Sequence, residues 1–298
     1  MMIQNSSSTT TAIPLTMEQK IQIYLDKLKV TPADVQRIMS IAQRDPEWIR
    51  QRWGRCTASN YGSIAGHNPY QSQRKLLSTL LWDTFKGNKA TEYGNKFESV
   101  CAKLYENFAN VGAQSAGSLM EHFYPGLIIC QNEPWLAVSP DGLPCKKAHD
   151  NSSQTRYLLE IKCPFTKKLY PHIPHYYFDQ IQGIMAILKL PFCDFVVWTP
   201  EVTQVRRYNF DPSYWKEVLY PRLRTFYFQE YLPRLILKEE GLLREGELEI
   251  AIQVKVDRPL QSFDCATESD DKNLPHLPND KVTKKKRITK RKNPSQPE

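Results

Sequence analysis

What this chain lacks narrows its possibilities first. No stretch approaches the ~18 consecutive apolar residues of a membrane-spanning helix. The opening residues, Met1-Met2-Ile3-Gln4-Asn5, lack the basic segment and apolar core of a secretory signal. No two cysteines stand in the CxxC spacing of a zinc or redox site. Cys56, Cys101, Cys130, Cys145, Cys163, Cys193 and Cys265 are therefore expected to be reduced thiols in an intracellular protein. No internal repeat is present. Basicity is missing from most of the chain as well. The net charge is +8, and Lys281, Lys284, Lys285, Lys286, Arg287, Lys290, Arg291 and Lys292 supply eight positive charges in one short segment. Outside it the charges cancel, so overall basicity says nothing about a nucleic-acid groove on the body.

What is present describes one large domain with terminal extensions. At 298 residues, with 41% hydrophobic and 11% aromatic content, the chain can bury a sizeable core. Residues 1–15 are rich in Ser and Thr and are expected to be disordered. Residues 259–298, which thin into Ser, Asp, Asn and Pro before the basic run, carry the same expectation. Between them lie a helical extension (16–45) and the main domain (46–250). Ile21, Tyr24, Leu25 and Leu28 stand at helical spacing. Thr31-Pro32-Ala33-Asp34 reads as a cap, a first-turn proline and an N3 acid. Further helices are predicted from Asp45-Pro46, over Ser72–Phe85, over Thr91–Phe108 and over Tyr176–Leu188. Short apolar runs over Ser118–Tyr124, Leu127–Cys130, Trp135–Val138 and Tyr157–Lys162 read as a β-meander, with Leu143–Arg156 as a long polar hairpin loop. Two more strands (Phe192–Thr199, Val205–Phe210) precede a helix over Pro212–Leu237, interrupted at Pro221 and Pro233. The order predicts a mixed α/β, or α+β, core.

The chemistry concentrates in Ser139-Pro140-Asp141-Gly142 and Leu159-Glu160-Ile161-Lys162-Cys163-Pro164. Period-2 alternation puts Glu160 and Lys162 on one strand face and Leu159 and Ile161 on the other. If Asp141 lies beside Glu160 on a neighbouring strand, two oxygen ligands and an ammonium converge. Such a set suits Mg²⁺ and phosphodiester hydrolysis. Read alone, Asp141-Gly142 also fits a surface turn, and Glu160 and Lys162 a solvated strand face. Both acids, however, close strongly apolar runs, where charge needs a partner or a metal. Glu98, beside the apolar stripe of its helix, fits a solvent-facing acid on position alone. Gln180, in Tyr176-Tyr177-Phe178-Asp179-Gln180-Ile181-Gln182, fits either a structural hydrogen bond or a group holding water or phosphate.

Taken together, these residues resemble the lambda-exonuclease and YqaJ-type viral recombinase branch of the PD-(D/E)xK nucleases. The resemblance runs from Trp48 to Pro200 through six blocks in family order. These are Trp48…Arg52…Thr57-Ala58-Ser59; Gly94…Phe97-Glu98; Ser139 to Gly142; Leu159 to Pro164; Tyr176 to Gln182; and Cys193 to Pro200. It implies a restriction-endonuclease-like core, a central mixed β-sheet flanked by helices. It implies Mg²⁺ or Mn²⁺ held by Asp141, Glu160 and the Ile161 carbonyl, with Glu98 near that ion or a second one. Lys162 would orient or deprotonate the attacking water, and Gln180 would position nucleophile or substrate. Arg52, Ser59 and Ser139 match a pocket for a terminal 5′-phosphate, with Lys168 as a further counterpart.

The implied activity is 5′→3′ digestion of duplex DNA ends in recombination, repair or viral genome processing. A nicking or structure-selective endonuclease and a non-catalytic DNA-binding protein on the same fold are the alternatives. Implied partners are double-stranded DNA ends, a single-strand annealing protein and further copies of the chain, trimers occurring in the family. The tail, with Lys284, Lys285, Lys286, Arg287, Lys290, Arg291 and Lys292, fits a nuclear import signal or a DNA tether. The expected setting is the nucleus or a viral replication site of a eukaryotic host.

Overall fold

Two capped helices open the computed structural model, which describes residues 14–82, 87–148 and 154–248. The expectations for residues 1–13, for Cys265 and for the basic tail lie outside the described residues. α1 (Met17–Leu28) and α2 (Pro32–Met39) each begin with a capping box. Thr16 and Thr31 accept from the amides of Gln19 and Asp34, whose side chains accept from the cap amides in return. α1 buries Ile21, Tyr24, Leu25 and Leu28, the stripe its spacing predicts. α3 (Pro46–Arg52) starts at Asp45, whose carboxylate accepts from the Glu47 amide.

The described strands form three sheets of three. β1 (Cys56–Thr57) runs parallel to β4 (Leu136–Val138), and β3 (Ile128–Ile129) runs antiparallel to β4 on its other side. β2 (Ser118–Glu121), β5 (Cys145–Ala148) and β6 (Gln154–Arg156) form an antiparallel sheet. β7 (Leu158–Lys162) lies parallel to β8 (Phe192–Trp198), which pairs antiparallel with β9 (Thr203–Asn209). The first and third sheets meet at one bridge. Gly142 and Leu159 exchange backbone hydrogen bonds of 3.2 and 2.9 Å there. This carries the segment after β4 against β7. The mixed α/β character is as expected, whereas the expected meander is divided among the three sheets.

The β7–β8–β9 sheet has a helix on each face. On one side α6 (Lys89–Ser115) packs Cys101 and Tyr105 against Leu159, Ile161, Val196 and Trp198. On the other, α7 (His175–Leu188) packs Ile181, Ile184 and Met185 into the larger core with Leu158, Phe195 and Val197. Buried Asp194 ties this sheet to α6 and β9. It accepts from Arg207 at 2.7 and 2.9 Å and from the Tyr105 hydroxyl at 2.7 Å.

α4 (Tyr61–Ile64) lies against α7, and glycine makes the contact possible. A Cβ on Gly62 would fall 2.3 Å from Tyr176 Cβ, and one on Gly183 would fall 2.3 Å from the Tyr61 ring. α5 (Gln73–Trp82) buries Leu76, Leu77 and Leu81.

Two expectations are corrected. Leu143–Arg156 is not all loop, because β5 and β6 lie within it and pair from Cys145 to Arg156. Only Cys145 of those strands is buried, so no apolar alternation marked them. Nor do Pro221 and Pro233 break the C-terminal helix. α8 (Pro212–Tyr214), α9 (Tyr220–Thr225) and α10 (Leu232–Glu239) are linked by π-helical turns over Trp215–Leu219 and Phe226–Tyr231. Each proline follows a wider turn, which suits the missing amide and the crowding of the preceding turn that proline brings. Among the described residues no helix is long and apolar enough to cross a membrane.

Candidate active site

β7 supplies the centre of the site through its alternation. Leu159 and Ile161 are sealed under α6, so Glu160 and Lys162 emerge on the α7 face. There Glu160 Oε1 accepts from Lys162 Nζ at 2.5 Å and from Gln180 Nε2 at 2.6 Å. Lys162 Nζ also donates to Gln180 Oε1 at 3.2 Å, which fixes the orientation of that amide. Asp141 arrives across the Gly142–Leu159 bridge, and its Oδ2 accepts from the Ile161 amide at 2.7 Å. The fold thus brings Asp141, Glu160, Lys162 and Gln180 together from three segments.

The electrostatics are those of an anion-rich pocket. Burial, and then the charge of Glu160, push Asp141 well above the usual carboxylate range. Burial likewise raises Glu160, although Lys162 pulls the other way. Burial acts to lower Lys162, but Glu160 and Asp141 outweigh it and raise the amine above its ordinary value. Lys162 is therefore an ammonium at neutral pH.

A divalent cation fits this set of donors. Glu160 Oε2 is buried and has no hydrogen-bond partner. A buried oxygen left unpaired costs roughly 1–3 kcal/mol, more when charged, unless a water or ion satisfies it. Two hard carboxylates, one carrying that oxygen, suit Mg²⁺ or Mn²⁺.

Glu98, on α6, contributes to the raised carboxylates of Asp141 and Glu160 and so lies within electrostatic reach. Its Oε2 accepts from Arg44 Nη2 at 2.8 Å. Arg44 stands in the turn after α2 with φ of 72°. Next to it, Gln43 Nε2 donates to the carbonyls of Pro125 and Pro140, at 3.1 Å each. The N-terminal extension therefore reaches the site. Neither contact was legible in the sequence, where Gln43-Arg44 is only a polar pair after a helix.

A second recess adjoins the first through Ser139, two residues before Asp141. Arg52 donates to Thr57 Oγ1 at 3.1 Å and to Ser59 Oγ at 3.2 Å, and its guanidinium lies 4.3 Å from the Trp48 ring centroid. Trp48 Nε1 donates to Ser139 Oγ at 3.2 Å. Burial lowers Arg52 to about 10, which still leaves it charged at neutral pH. Among the described residues no carboxylate pairs with it. A cation surrounded by hydroxyls and an aromatic face suits a phosphate. Lys168, the further counterpart, is exposed in the segment after β7. Thr57, quoted in the resemblance without a role, does belong to the recess.

One residue before Gln180, another cluster has metal-ligand chemistry but different geometry. His67, His175 and Asp179 offer ligand atoms within 4.8 Å of one another. The histidine rings are stacked, however, with centroids 3.9 Å apart. Buried Asp179 already pairs with His67 Nδ1 at 2.9 Å and accepts from the Tyr214 hydroxyl at 2.5 Å. Arg222 Nη1 lies 3.0 Å from His67 Nε2, and His175 Nε2 lies 3.1 Å from that hydroxyl. A cation beside His67 opposes metal binding. The cluster reads as a bracket holding α7 against α8 and α9.

Residues 47–190 match the model of the YqaJ-like viral recombinase domain. The chain is 29% identical over 173 residues to an uncharacterized protein of Acanthamoeba polyphaga mimivirus, covering 54% of this chain and 30% of that protein. It is 29% identical over 166 residues to a protein of African swine fever virus, covering 49% of this chain and 46% of the other. It thus spans less than half the length of either relative. Among solved structures, an alkaline exonuclease from Laribacter hongkongensis is 24% identical, with a TM-score of 0.46 over 66% of this chain and 98% of that one. Glu98, Asp141, Glu160, Lys162, Gln180 and the Arg52 recess all lie within the residues that match the YqaJ-like viral recombinase domain.

Proposed function

We propose that the chain is a metal-dependent deoxyribonuclease that digests duplex DNA from its ends in the 5′→3′ direction, in recombination, repair or viral genome processing. The observation that carries this reading is the convergence of Asp141, Glu160, Lys162 and Gln180 around a buried, unpaired carboxylate oxygen. Asp141, Glu160 and the Ile161 carbonyl would hold Mg²⁺ or Mn²⁺, with Glu98 nearby. When bound, the ion supplies an acidified water and a counter-charge for the phosphoryl oxygens. The protein's own residues do the rest. Lys162, held as an ammonium, donates to the nucleophile or to developing phosphoryl charge rather than abstracting a proton. Gln180 holds Glu160 and Lys162 in register. The Arg52 recess, linked to Asp141 through Ser139, would take a terminal 5′-phosphate and so set polarity.

Substrates in this reading are double-stranded DNA ends, with a strand-annealing protein and further copies of the chain as partners. The basic tail would serve nuclear import, or entry to a viral replication site, with DNA tethering as a second use. The test uses linear duplex with 5′-phosphate or 5′-hydroxyl ends and covalently closed circles, all with Mg²⁺. Wild type should digest the phosphorylated linear duplex best and spare the circle. Asp141→Asn should lose on the order of 100-fold or more, the scale of losing a preorganised electrostatic group. Equal digestion by both proteins would reject the catalytic assignment. Efficient cutting of the circle would replace exonuclease with endonuclease.

A further inference from the structure

A run of tyrosine rings leads from the catalytic lysine to the surface. Lys162 Nζ lies 4.5 Å from the ring centroid of Tyr177. The Tyr177 and Tyr176 centroids are 4.3 Å apart, and Tyr176 meets Tyr70 edge-on at 6.1 Å. Tyr70 is 76% exposed. A lone exposed aromatic is ordinary and needs no explanation. Tyr70 differs in two respects. It ends a continuous series of rings that begins at the proposed catalytic centre, and its backbone is pinned. Its amide donates to Asn68 Oδ1 at 3.0 Å, Asn68 Nδ2 donates to Ser63 Oγ at 2.9 Å, and Ser63 Oγ donates to Gln71 Oε1 at 3.0 Å. Ser63 belongs to α4, which touches α7 at Gly62 and Tyr176. The loop ring and the helix rings are thus carried on one packed unit.

The chemistry of the track selects its occupant. A strand digested from its end must leave the duplex before its phosphate reaches Lys162, and unpaired bases then present bare π faces. Aromatic side chains stack on such faces whatever the sequence, which suits an enzyme that advances through any DNA. We propose that Tyr70 and Tyr176 form a stacking track for unpaired bases of the strand being cut, with Tyr177, packed against the core, backing Tyr176. The proposal rests on the deoxyribonuclease reading above and adds a subsite to it.

The experiment uses the full chain in EDTA, so that binding is read without cleavage. Duplexes carry 2-aminopurine in the last two positions of the 5′ strand, either fully paired or frayed by mismatches. Wild type should bind the frayed end more tightly and quench its fluorescence. Because the Tyr70 ring is mostly exposed, Tyr70→Ala is expected to fold, and its circular dichroism and melting midpoint verify this. Tyr70→Ala should bind the frayed end about 5- to 140-fold more weakly, which is one base–aromatic stack of about 1–3 kcal/mol at about 1.4 kcal/mol per tenfold. It should also lose quenching, while Tyr70→Phe keeps both. With Mg²⁺ restored, the loss should fall on KM. Unchanged affinity and quenching in Tyr70→Ala would overturn the track, even if wild type digests DNA normally. A tyrosine-dependent signal in a protein that digests nothing would leave the track standing and remove the nuclease reading.

Discussion

Arg44 shows how one residue can tune a site without belonging to its strands. Its ion pair with Glu98 is half exposed on the arginine side and a third exposed on the glutamate side. Such pairs contribute about 0–1 kcal/mol, so the contact is not what holds the extension in place. Its consequence is electrostatic, because it neutralises an acid within reach of Asp141 and Glu160. Arg44→Ala should cost less than about 1 kcal/mol of stability and should lower the Mg²⁺ concentration for half-maximal digestion, since Glu98 then adds an unopposed negative charge. A metal titration of both proteins checks this, and an unchanged midpoint would separate Glu98 from the cation. Lys162 is the opposite case. Removing one partner of a buried pair costs about 3–5 kcal/mol, so Lys162→Ala confuses folding with catalysis. Asp141→Asn, which removes a crowded charge, is the cleaner probe.

At the scale of elements, α7 is the part whose placement decides the site. It carries Gln180, and it sits where it does because Gly62 and Gly183 let α4 approach. Gly183→Ala would force a methyl into the Tyr61 ring. Overpacking of this kind costs about 1–3 kcal/mol, or about 2–4 °C of melting midpoint per kcal/mol in a domain of this size. Digestion should fall by more than this stability loss accounts for, because Gln180 moves with the helix. Thermal melts and rates on the same preparations test the pair of effects.

The β7 alternation, the caps of α1 and α2 and the α1 stripe were legible because each is a local pattern with local causes, whereas Val100, Leu104 and Phe108 of the α6 stripe are exposed. The Asp141–Glu160 encounter was conditional in the sequence, since it depends on one antiparallel bridge between two sheets. Arg44 with Glu98 and Gln43 with Pro140 were invisible, because only tertiary packing brings such distant residues together. β5 and β6 were missed for a different reason. They are polar ladder strands with one buried residue, and periodicity cannot find a strand that buries almost nothing.

At the scale of the whole molecule, the site should register as a cost in stability that its cation repays. Without the ion, half-buried Asp141 and buried Glu160 lie within electrostatic reach of each other, and both carboxyls are raised above their ordinary values. A raised carboxyl binds its proton more tightly when folded. Its contribution is therefore fully present below the ordinary carboxylate range near 4, and it is lost as pH rises through the higher folded value. Lys162 is also raised, but its own loss begins only above the ordinary lysine range, far from neutrality. Metal-free wild type should thus lose stability relative to Asp141→Asn as pH climbs from about 5 to 8. The variant should melt higher at the upper end by a few degrees, roughly 2–4 °C for each kcal/mol of relieved repulsion. Mg²⁺ should raise the wild-type midpoint increasingly with pH, because the ion competes with protons for the same oxygens. The variant should show little of this rise. Melts across pH in EDTA and in Mg²⁺ decide it. A wild-type midpoint that ignores Mg²⁺ at every pH would mean that Asp141 and Glu160 hold no cation in the free protein, leaving DNA to bring the ion with it.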